Sequence, residues 1–196
     1  LFIMLEELGV DYNTHAINIG EDDQFTPEFT AINPNGKIPA MIDQDGPGGA
    51  PFALFESGAM LMYLADKFGK FLPPVADVRN RYITIQWLMF QMGGIGPMFG
   101  QAHHFRRAQT KVDYGIERYT TEARRLWGVL DGHLAGNEFM HGGYSIADMA
   151  IYPWTVRYDW QGVALEEFPN VKRWFETVGA RPAVEKAMGI NLAAAA

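Results

Sequence analysis

Two short stretches contain residues whose types and spacing suit the binding of a small charged molecule. In the first, "FES", a predicted strand ends at Glu56 and a predicted helix begins at Ser57. Backbone N–H groups and a hydroxyl at a helix start can bind a carboxylate, and the neighbouring glutamate can hold an ammonium group. Together they would bind both ends of a free amino acid. Taken alone, the motif favours the simpler interpretation that Ser57 is a helix N-cap, worth about 1 kcal/mol.

The second stretch, "GKIPA", has a proline close behind the start of a predicted strand. Pro39 cannot donate a hydrogen bond to a sheet. A cis Ile38–Pro39 peptide bond would turn the backbone of Ile38 away from the sheet, and its N–H and C=O would be free to pair with an extended peptide. Lys37 would then lie near a carboxylate of that peptide. The alternative is a strand that simply starts after a proline.

The composition is that of a globular protein with one large domain or two small ones. The chain has 196 residues, 48% of them hydrophobic and 20% charged, and a net charge of −7. This acidity argues against nucleic-acid binding, and no apolar run reaches the ~20 residues of a membrane span. We therefore predict no nucleic-acid or membrane partner and a cytoplasmic location. The absence of cysteine excludes disulfides, thiolate metal sites and a redox dithiol from this chain.

The two ends of the sequence raise a separate expectation. The chain opens directly in a helical pattern, "LFIMLEELGV", without an initiator Met or the basic segment of a signal peptide. The expectation is that the beginning of the protein lies upstream of Leu1. Whether the closing alanines, 193–196, belong to the natural chain stays open.

The first seventy residues alternate helical and extended patterns. A helix at the start is followed by a strand at 13–19 and by a short helix in "TPEFTAIN", with Thr26 as its cap. The strands "IPAMID" and "FALFE" are joined by the turn-rich "QDGPGG". A helix then runs from Ser57 to Gly69, and its predicted buried stripe is Met60, Leu61, Leu64 and Phe68. This order predicts a small α/β domain with a mixed sheet.

Beyond a proline-containing linker, the patterns are helical only. The stretch "VRNRYITIQWLMFQM" is apolar on most faces after Tyr82, which predicts a buried helix. The stretch "GGIGPMFG" is expected to break or kink this long helix. A long amphipathic helix follows, with apolar positions Ile116, Tyr119, Ala123, Leu126, Leu130 and Leu134. The fold prediction is therefore α/β plus all-α, with an α/β domain at 1–69, a linker at 70–77 and an all-α domain at 78–196.

Two further motifs are interpreted as structural or left as secondary candidates. In "YSIAD", Ser145 caps a helix and Asp148 lies at the third helical position, where its carboxylate reaches back to the cap N–H. His103 and His104 are adjacent, and neighbours on a helix do not share a face, so we predict no metal site. Their surroundings are a candidate lining for a substrate cleft between the domains.

Taken in series, these features resemble the glutathione transferase superfamily over essentially the whole chain. The stretches "NPNGKIPAMID", "LFESGAMLMYLADKFG" and "YSIADMAIYPW" carry the match. The resemblance implies a thioredoxin-like first domain, whose first strand is absent from this chain, followed by an all-helical domain. It also implies glutathione as the cofactor. Lys37 would hold the glycine carboxylate, Ile38 beside cis Pro39 the cysteinyl backbone, and Glu56 with Ser57 the γ-glutamyl group.

A narrower resemblance is to the bacterial nu-class glutathione transferases. It rests on "GEDDQFTPEFTAINPNGKIPA", "QWLMFQMGGIGPMFGQAHHF" and "YGIERY". It implies that Gln24 helps to hold the tripeptide and that Arg118 reaches across a homodimer, although a polar loop residue and a solvated charge are the alternatives. Members of this group resemble disulfide reductases. The loop that activates the sulfur precedes the first helix, so the catalytic residue is expected upstream of Leu1 and is unknown here.

The resulting hypothesis is a cytoplasmic, homodimeric, glutathione-dependent enzyme. The glutathione thiolate would attack a small disulfide or an electrophilic carbon, and the narrower resemblance favours disulfide reduction. The alternative is a regulatory or interaction module that keeps the fold without turnover, because a fold does not determine a function.

Overall fold

A computed structural model describes residues 1–190 as an α/β part followed by a helical part. The closing alanines discussed above lie outside the described residues. The helices are α1 (Phe2–Leu8), α2 (Pro27–Ile32), α3 (Ser57–Phe68), α4 (Val78–Phe90), α5 (Gly96–Arg107), α6 (Asp113–Leu134), α7 (Ile146–Thr155), α8 (Pro169–Gly179) and α9 (Pro182–Met188), and the strands are β1 (Ala40–Asp43) and β2 (Phe52–Phe55). Residues 70–77 contain neither helix nor strand.

The strands β1 and β2 form the predicted hairpin. They pair antiparallel, with Ala40 opposite Phe55 and Asp43 opposite Phe52. The expectation of a mixed sheet is therefore wrong for the described residues, which contain this antiparallel pair. The strand predicted at 13–19 is also wrong, since this segment is irregular and mostly exposed. An extended segment becomes a strand only when it pairs with another, and the described residues supply no neighbour for it.

Helices α2 and α3 begin and end for local reasons. Thr26 caps α2 by accepting a hydrogen bond from the Phe29 N–H at 3.3 Å, and proline occupies the first helical position, as predicted. Three of the four residues of the predicted α3 stripe, Met60, Leu61 and Leu64, are buried. The fourth, Phe68, is 39% exposed because it lies in the last turn before Gly69, which adopts the left-handed conformation.

The helical part has the predicted long helix α6 at its centre. The buried face of α6 includes Ala123, Leu126, Leu130 and Leu134 from the predicted stripe. The expected break in the preceding helix is a π-helical turn at Gln91–Ile95, which joins α4 to α5. The prediction that α4 is buried on most sides is wrong for the single chain. Tyr82 is 65% exposed and Met89 is 45% exposed, while the helix packs through another face.

The α7 N-terminus carries the predicted capping box, built around a fully buried carboxylate. Asp148 accepts hydrogen bonds from the N–H and hydroxyl of Ser145, both at 3.0 Å. It also accepts from the Met140 N–H at 2.9 Å and from the Trp174 indole at 2.8 Å. Burial raises the pKa of Asp148, and these donors oppose that effect by favouring the carboxylate. The carboxylate therefore connects α7 to α8 and to the preceding loop.

An ionic contact connects the first helix to the last described one. Arg181 donates to both carboxylate oxygens of Glu7, at 2.6 and 3.0 Å, and its guanidinium stacks on the Tyr144 ring at 3.8 Å. Beside it, Lys186 pairs with Glu6 at 2.6 Å. Glu7 is largely shielded from water, which strengthens its attraction to the guanidinium.

We predict that Asp148→Ala destabilises the fold by about 3 kcal/mol or more, because buried donors lose their acceptor at about 1–3 kcal/mol each. Ser145→Ala, which removes only the cap hydroxyl, is the graded control and costs about 0.5–2 kcal/mol. Denaturant unfolding curves at one fixed protein concentration give the loss of unfolding free energy for each variant. Catalytic constants of the folded fraction stay nearly unchanged, so a normal midpoint with lost turnover would contradict the structural role.

We predict that Glu7 and Arg181 are energetically coupled. A double-mutant cycle built from Glu7→Gln and Arg181→Gln should give a coupling free energy of about 0.5–3 kcal/mol. The matched control is Glu122 and Arg125, an exposed pair on α6 with the same bidentate contact. Its coupling is expected to be about 0.2–0.5 kcal/mol, because solvent screens it. Equal coupling for the two pairs would show that the α1–α9 contact adds nothing beyond a surface ion pair.

Candidate functional site

The β-hairpin brings the two predicted binding stretches to one place. Because Ala40 pairs with Phe55, the residues just before β1 and just after β2 lie at the same end of the hairpin. The Ile38–Pro39 peptide bond is cis, as predicted. Ile38 is half exposed, and neither its N–H nor its C=O forms a backbone hydrogen bond within residues 1–190. An extended peptide can therefore pair with it.

The loop before β1 is held by a buried asparagine. The Asn33 amide donates to the carbonyl of Lys37 at 2.6 Å, and its side-chain oxygen accepts from the Asn35 N–H at 2.9 Å. The backbone at Lys37 is thus fixed while its side chain is exposed. Within the described part of the chain, no carboxylate lies within 4.0 Å of its ammonium. Lys37 is consequently available to a ligand carboxylate.

The turn between β2 and α3 differs from the prediction. Ser57 is the first helical residue, and Glu56 is the N-cap, without a side-chain capping hydrogen bond. Glu56 has φ 67 and ψ 109, a conformation that is rare for a non-glycine residue. Such strain persists only where the surroundings enforce it, and it is common at binding sites. The exposed Glu56 carboxylate lies beside the free N–H groups of the first turn of α3.

The π-helical turn supplies a contact that sequence reasoning missed. The Ser57 hydroxyl lies 3.8 Å from the Met92 sulfur. A Cβ at Gly58 would lie 3.1 Å from the same side chain, so the glycine permits this close approach. Met92 therefore forms one wall beside the Glu56–Ser57 turn. A π-helical turn is not encoded in an apolar periodicity, although the glycines of "GGIGPMFG" signalled an interruption.

Gln24 is buried in the short 3₁₀ turn Asp23–Phe25, close to the loop that carries Lys37. A Cβ on Gly36 would lie 2.8 Å from the Phe25 ring, which shows how tightly this turn packs on the loop. The side-chain nitrogen of Gln24 contacts Asp22 at 3.4 Å, but its buried oxygen has no hydrogen-bond partner among the described residues. An unpaired buried acceptor is costly, and a ligand N–H would satisfy it.

Arg118 is not part of this hairpin end in the single chain. It is exposed on α6, in a cleft of about 650 Å³ whose lining residues all come from α5 and α6. The nearest aromatic contact of its guanidinium is the Tyr119 ring, at 6.0 Å. A role at the hairpin end would therefore require a second chain.

The far end of the hairpin is anchored to α3. Asp43 accepts hydrogen bonds from the Tyr63 hydroxyl and the Lys67 ammonium, both at 2.6 Å. Burial alone would raise the pKa of Asp43, but these donors outweigh it and hold that pKa below its usual range. Since the folded-state pKa is depressed, the stabilisation is present at neutral pH and is lost as the pH falls through that pKa.

The histidine pair has a different location from the expected one. His103 and His104 line a cleft formed by α5 and the 3₁₀ turn Tyr158–Gln161, and no residue of positions 1–77 contributes. The expectation of a cleft between the domains is therefore wrong for these two residues. Within residues 1–190, no group of three His, Asp or Glu side chains is arranged to hold a metal ion. The same residues contain no helix long and apolar enough to cross a membrane.

At the hairpin end, the arrangement suits an extended zwitterionic peptide. Lys37 offers a cation and Glu56 offers an anion. The Ile38 backbone lies between Lys37 and Pro39, and the register places Pro39 next to Glu56. The first turn of α3 adds N–H donors beside Glu56. These charged and backbone groups are suited to binding and orienting a ligand.

Comparison with known proteins identifies the family. Residues 1–67 match the description "Glutathione S-transferase, N-terminal domain", and residues 102–182 match "Glutathione S-transferase, C-terminal domain". The disulfide-bond oxidoreductase YfcG of Escherichia coli is 45% identical over 95% of this chain and 87% of its own length. The disulfide-bond oxidoreductase YghU of the same species is 43% identical over 96% of this chain and 69% of its own length.

Two solved structures are similar along the same length. A glutathione transferase from Burkholderia graminis, with two glutathione molecules per subunit, has a TM-score of 0.90 and 47% identity and covers 95% of this chain and 81% of that one. One from Pseudomonas putida, with one glutathione disulfide per subunit, has a TM-score of 0.89 and 46% identity and covers 96% and 85%. The predicted thioredoxin-like part, all-helical part and nu-class resemblance are confirmed, and the chain belongs to the glutathione S-transferase family.

Proposed function

We propose that the protein is a glutathione-dependent enzyme that reduces disulfides. One observation carries the proposal: the hairpin register brings Lys37 and Ile38 next to Glu56 and Ser57 at one end. Glutathione has a carboxylate at its glycine end and an ammonium and a carboxylate at its γ-glutamyl end. The register places groups complementary to both ends of glutathione at this one end, which supports a tripeptide better than a single amino acid.

Each part of glutathione has a chemically matched partner in the proposed complex. Lys37 pairs with the glycine carboxylate, and the Ile38 N–H and C=O pair with the cysteinyl backbone as an added strand would. Glu56 holds the γ-glutamyl ammonium, while Ser57 and the α3 N–H groups hold its carboxylate. Gln24 uses its unpaired oxygen to accept an N–H of the bound peptide.

The choice of disulfide reduction rests on the relatives. Two of them are named disulfide-bond oxidoreductases, and similar structures hold two glutathione molecules or one glutathione disulfide per subunit. Bound glutathione supplies a thiol for exchange, in which two molecules are oxidised to one glutathione disulfide and a small substrate disulfide is reduced to two thiols. Conjugation to an electrophilic carbon is the alternative chemistry at the same site.

The proposal includes a cytoplasmic homodimer. Tyr82 and Met89 on α4 form an exposed apolar surface that a second copy would cover. Arg118 lies in an open cleft away from the hairpin end of its own chain, so it is available to the bound peptide of a partner. We assign Arg118 this role across the dimer.

We predict that Glu56→Gln, which keeps size and removes charge, weakens glutathione binding about tenfold or more, because a charge-assisted hydrogen bond is lost. Calorimetric titration of the native protein with reduced glutathione and with its disulfide measures this. Glu28→Gln, another exposed carboxylate near the start of a helix, is the control and leaves binding unchanged.

The same titrations decide between the chemistries. Strong binding of the disulfide, or of two reduced molecules per site, supports the reductase. Binding of a single reduced molecule, with conjugating activity and no disulfide turnover, would replace reduction by conjugation. Binding without any turnover would favour the non-catalytic module, and no binding by a folded sample would overturn the glutathione proposal.

We predict that Lys37→Gln weakens the binding of glutathione but not that of γ-glutamylcysteine, which lacks the glycine carboxylate. The expected loss for glutathione is about tenfold, since one charge-assisted contact disappears. Comparing both ligands in both proteins isolates the contact and removes any general effect on the fold. An equal loss for the two ligands would contradict the assignment of Lys37 to the glycine end.

A further inference from the structure

One methionine side chain lies against the start of α3, beside the candidate glutathione site. The Met92 sulfur is 3.8 Å from the Ser57 hydroxyl. A Cβ on Gly58 would lie 3.1 Å from both the sulfur and the Cγ of Met92, and 3.3 Å from its Cε, so the whole end of this side chain packs on the first turn of α3. Gln91 and Ile95, at the two ends of the π-helical turn, are buried and hold the turn in place.

This sulfur is the hydrogen-bond partner of the Ser57 hydroxyl, and that hydroxyl has no other partner among residues 1–190. A thioether is a weak acceptor, so the contact holds the hydroxyl only loosely. In the proposed complex the hydroxyl donates to the γ-glutamyl carboxylate, and a weak acceptor releases it at little cost. A strong acceptor at the same place would compete with the ligand for this one proton.

Met92 combines this polar contact with access to solvent. The chain contains ten methionines. Four of them are at most 3% exposed: Met4, Met60, Met140 and Met149. The Met92 side chain is partly exposed, so a small oxidant in solution can reach it. Met188 is 42% exposed, but it lies on α9 and provides a comparison away from the hairpin end.

We propose that Met92 is a modification site through which peroxide lowers the affinity for glutathione. The proposal rests on the proposed function of the hairpin end. The Met92 sulfur gives an electron pair to one oxygen of hydrogen peroxide, the O–O bond breaks and an S–O bond forms. Methionine is thereby oxidised to its sulfoxide, and the peroxide is reduced to water.

Oxidation changes the acceptor that faces the Ser57 hydroxyl. The sulfoxide oxygen is polar and accepts a hydrogen bond strongly, so it takes the proton that the ligand carboxylate needs. Its partial negative charge also lies beside that carboxylate and repels it. Both effects weaken the binding of the γ-glutamyl group. Methionine sulfoxide is reduced again by methionine sulfoxide reductases, so the change is reversible.

The test compares the native protein before and after treatment with hydrogen peroxide. Peptide mass spectrometry measures the oxidation of each methionine. Calorimetric titration with glutathione disulfide measures the affinity, because this ligand carries the γ-glutamyl group without a free thiol. We expect the affinity to fall about tenfold as Met92 is oxidised, since one hydrogen bond to a charged group is lost. Reductases for both sulfoxide epimers should restore it.

Four variants separate Met92 from the other methionines and isolate the hydroxyl. Met92→Leu has no sulfur to oxidise, so its affinity should be the same before and after treatment. Met188→Leu removes an exposed methionine of α9 and should keep the native sensitivity to peroxide. Met92→Gln places a strong acceptor on the turn and should bind weakly without peroxide. Ser57→Ala removes the contested hydroxyl, so oxidation of Met92 should change its affinity little.

Four results would overturn the proposal. One is an unchanged affinity after Met92 has been oxidised, and another is resistance of Met92 under conditions that oxidise Met188. The third is an equal loss of affinity in Met92→Leu, which would assign the effect to another residue. The fourth is an equal loss in Ser57→Ala, which would exclude competition for the hydroxyl. A native protein that does not bind glutathione disulfide at all would overturn the glutathione proposal as well, whereas the four results leave that proposal intact.

Discussion

The pairing of β1 with β2 is the constraint on which the candidate site depends. Four residue pairs fix the register, and that register alone makes Pro39 and Glu56 neighbours at the hairpin end. A shift by one residue would turn the strand side chains to the opposite face and move the two binding stretches apart. The contacts of Tyr63 and Lys67 with Asp43 hold the other end against α3, so the register and the helix start are fixed together.

Burial separates the carboxylates with structural roles from those available to ligands. Asp148 is fully buried and accepts hydrogen bonds from the protein at both of its oxygens, which leaves nothing for a ligand. Glu56 is exposed, has no capping hydrogen bond and is held in a conformation that a glutamate rarely adopts. The same side-chain chemistry thus stabilises the helical part in one place and remains free for recognition in another.

The sequence predicted the structural features that residues close in sequence determine. It did not predict the features that depend on contacts between distant segments. The capping box, the Thr26 cap and the break before α5 follow from residues close in sequence, and all three are present. The strand at 13–19 failed because a strand needs a neighbour. The prediction that Ser57 is the N-cap was wrong, because a positive φ at Glu56 is not expected from a glutamate. Met92 was missed because its contact depends on how α3 packs on the π-helical turn.

In the proposed complex, the candidate binding residues contact parts of glutathione that do not react. Lys37, Ile38 and Glu56 would contact the ends and backbone of the tripeptide, and such contacts are equal in the thiol and thiolate forms. A thiol with a pKa of about 8.5 is only a few per cent ionised at pH 7, and lowering that pKa by about 2 units needs about 2.7 kcal/mol of preference for the anion. These residues can therefore set affinity and orientation, whereas reactivity requires a donor aimed at the sulfur itself. Affinity and sulfur activation are thus separate properties of the proposed site, and a variant of the hairpin end should change the first without changing the second.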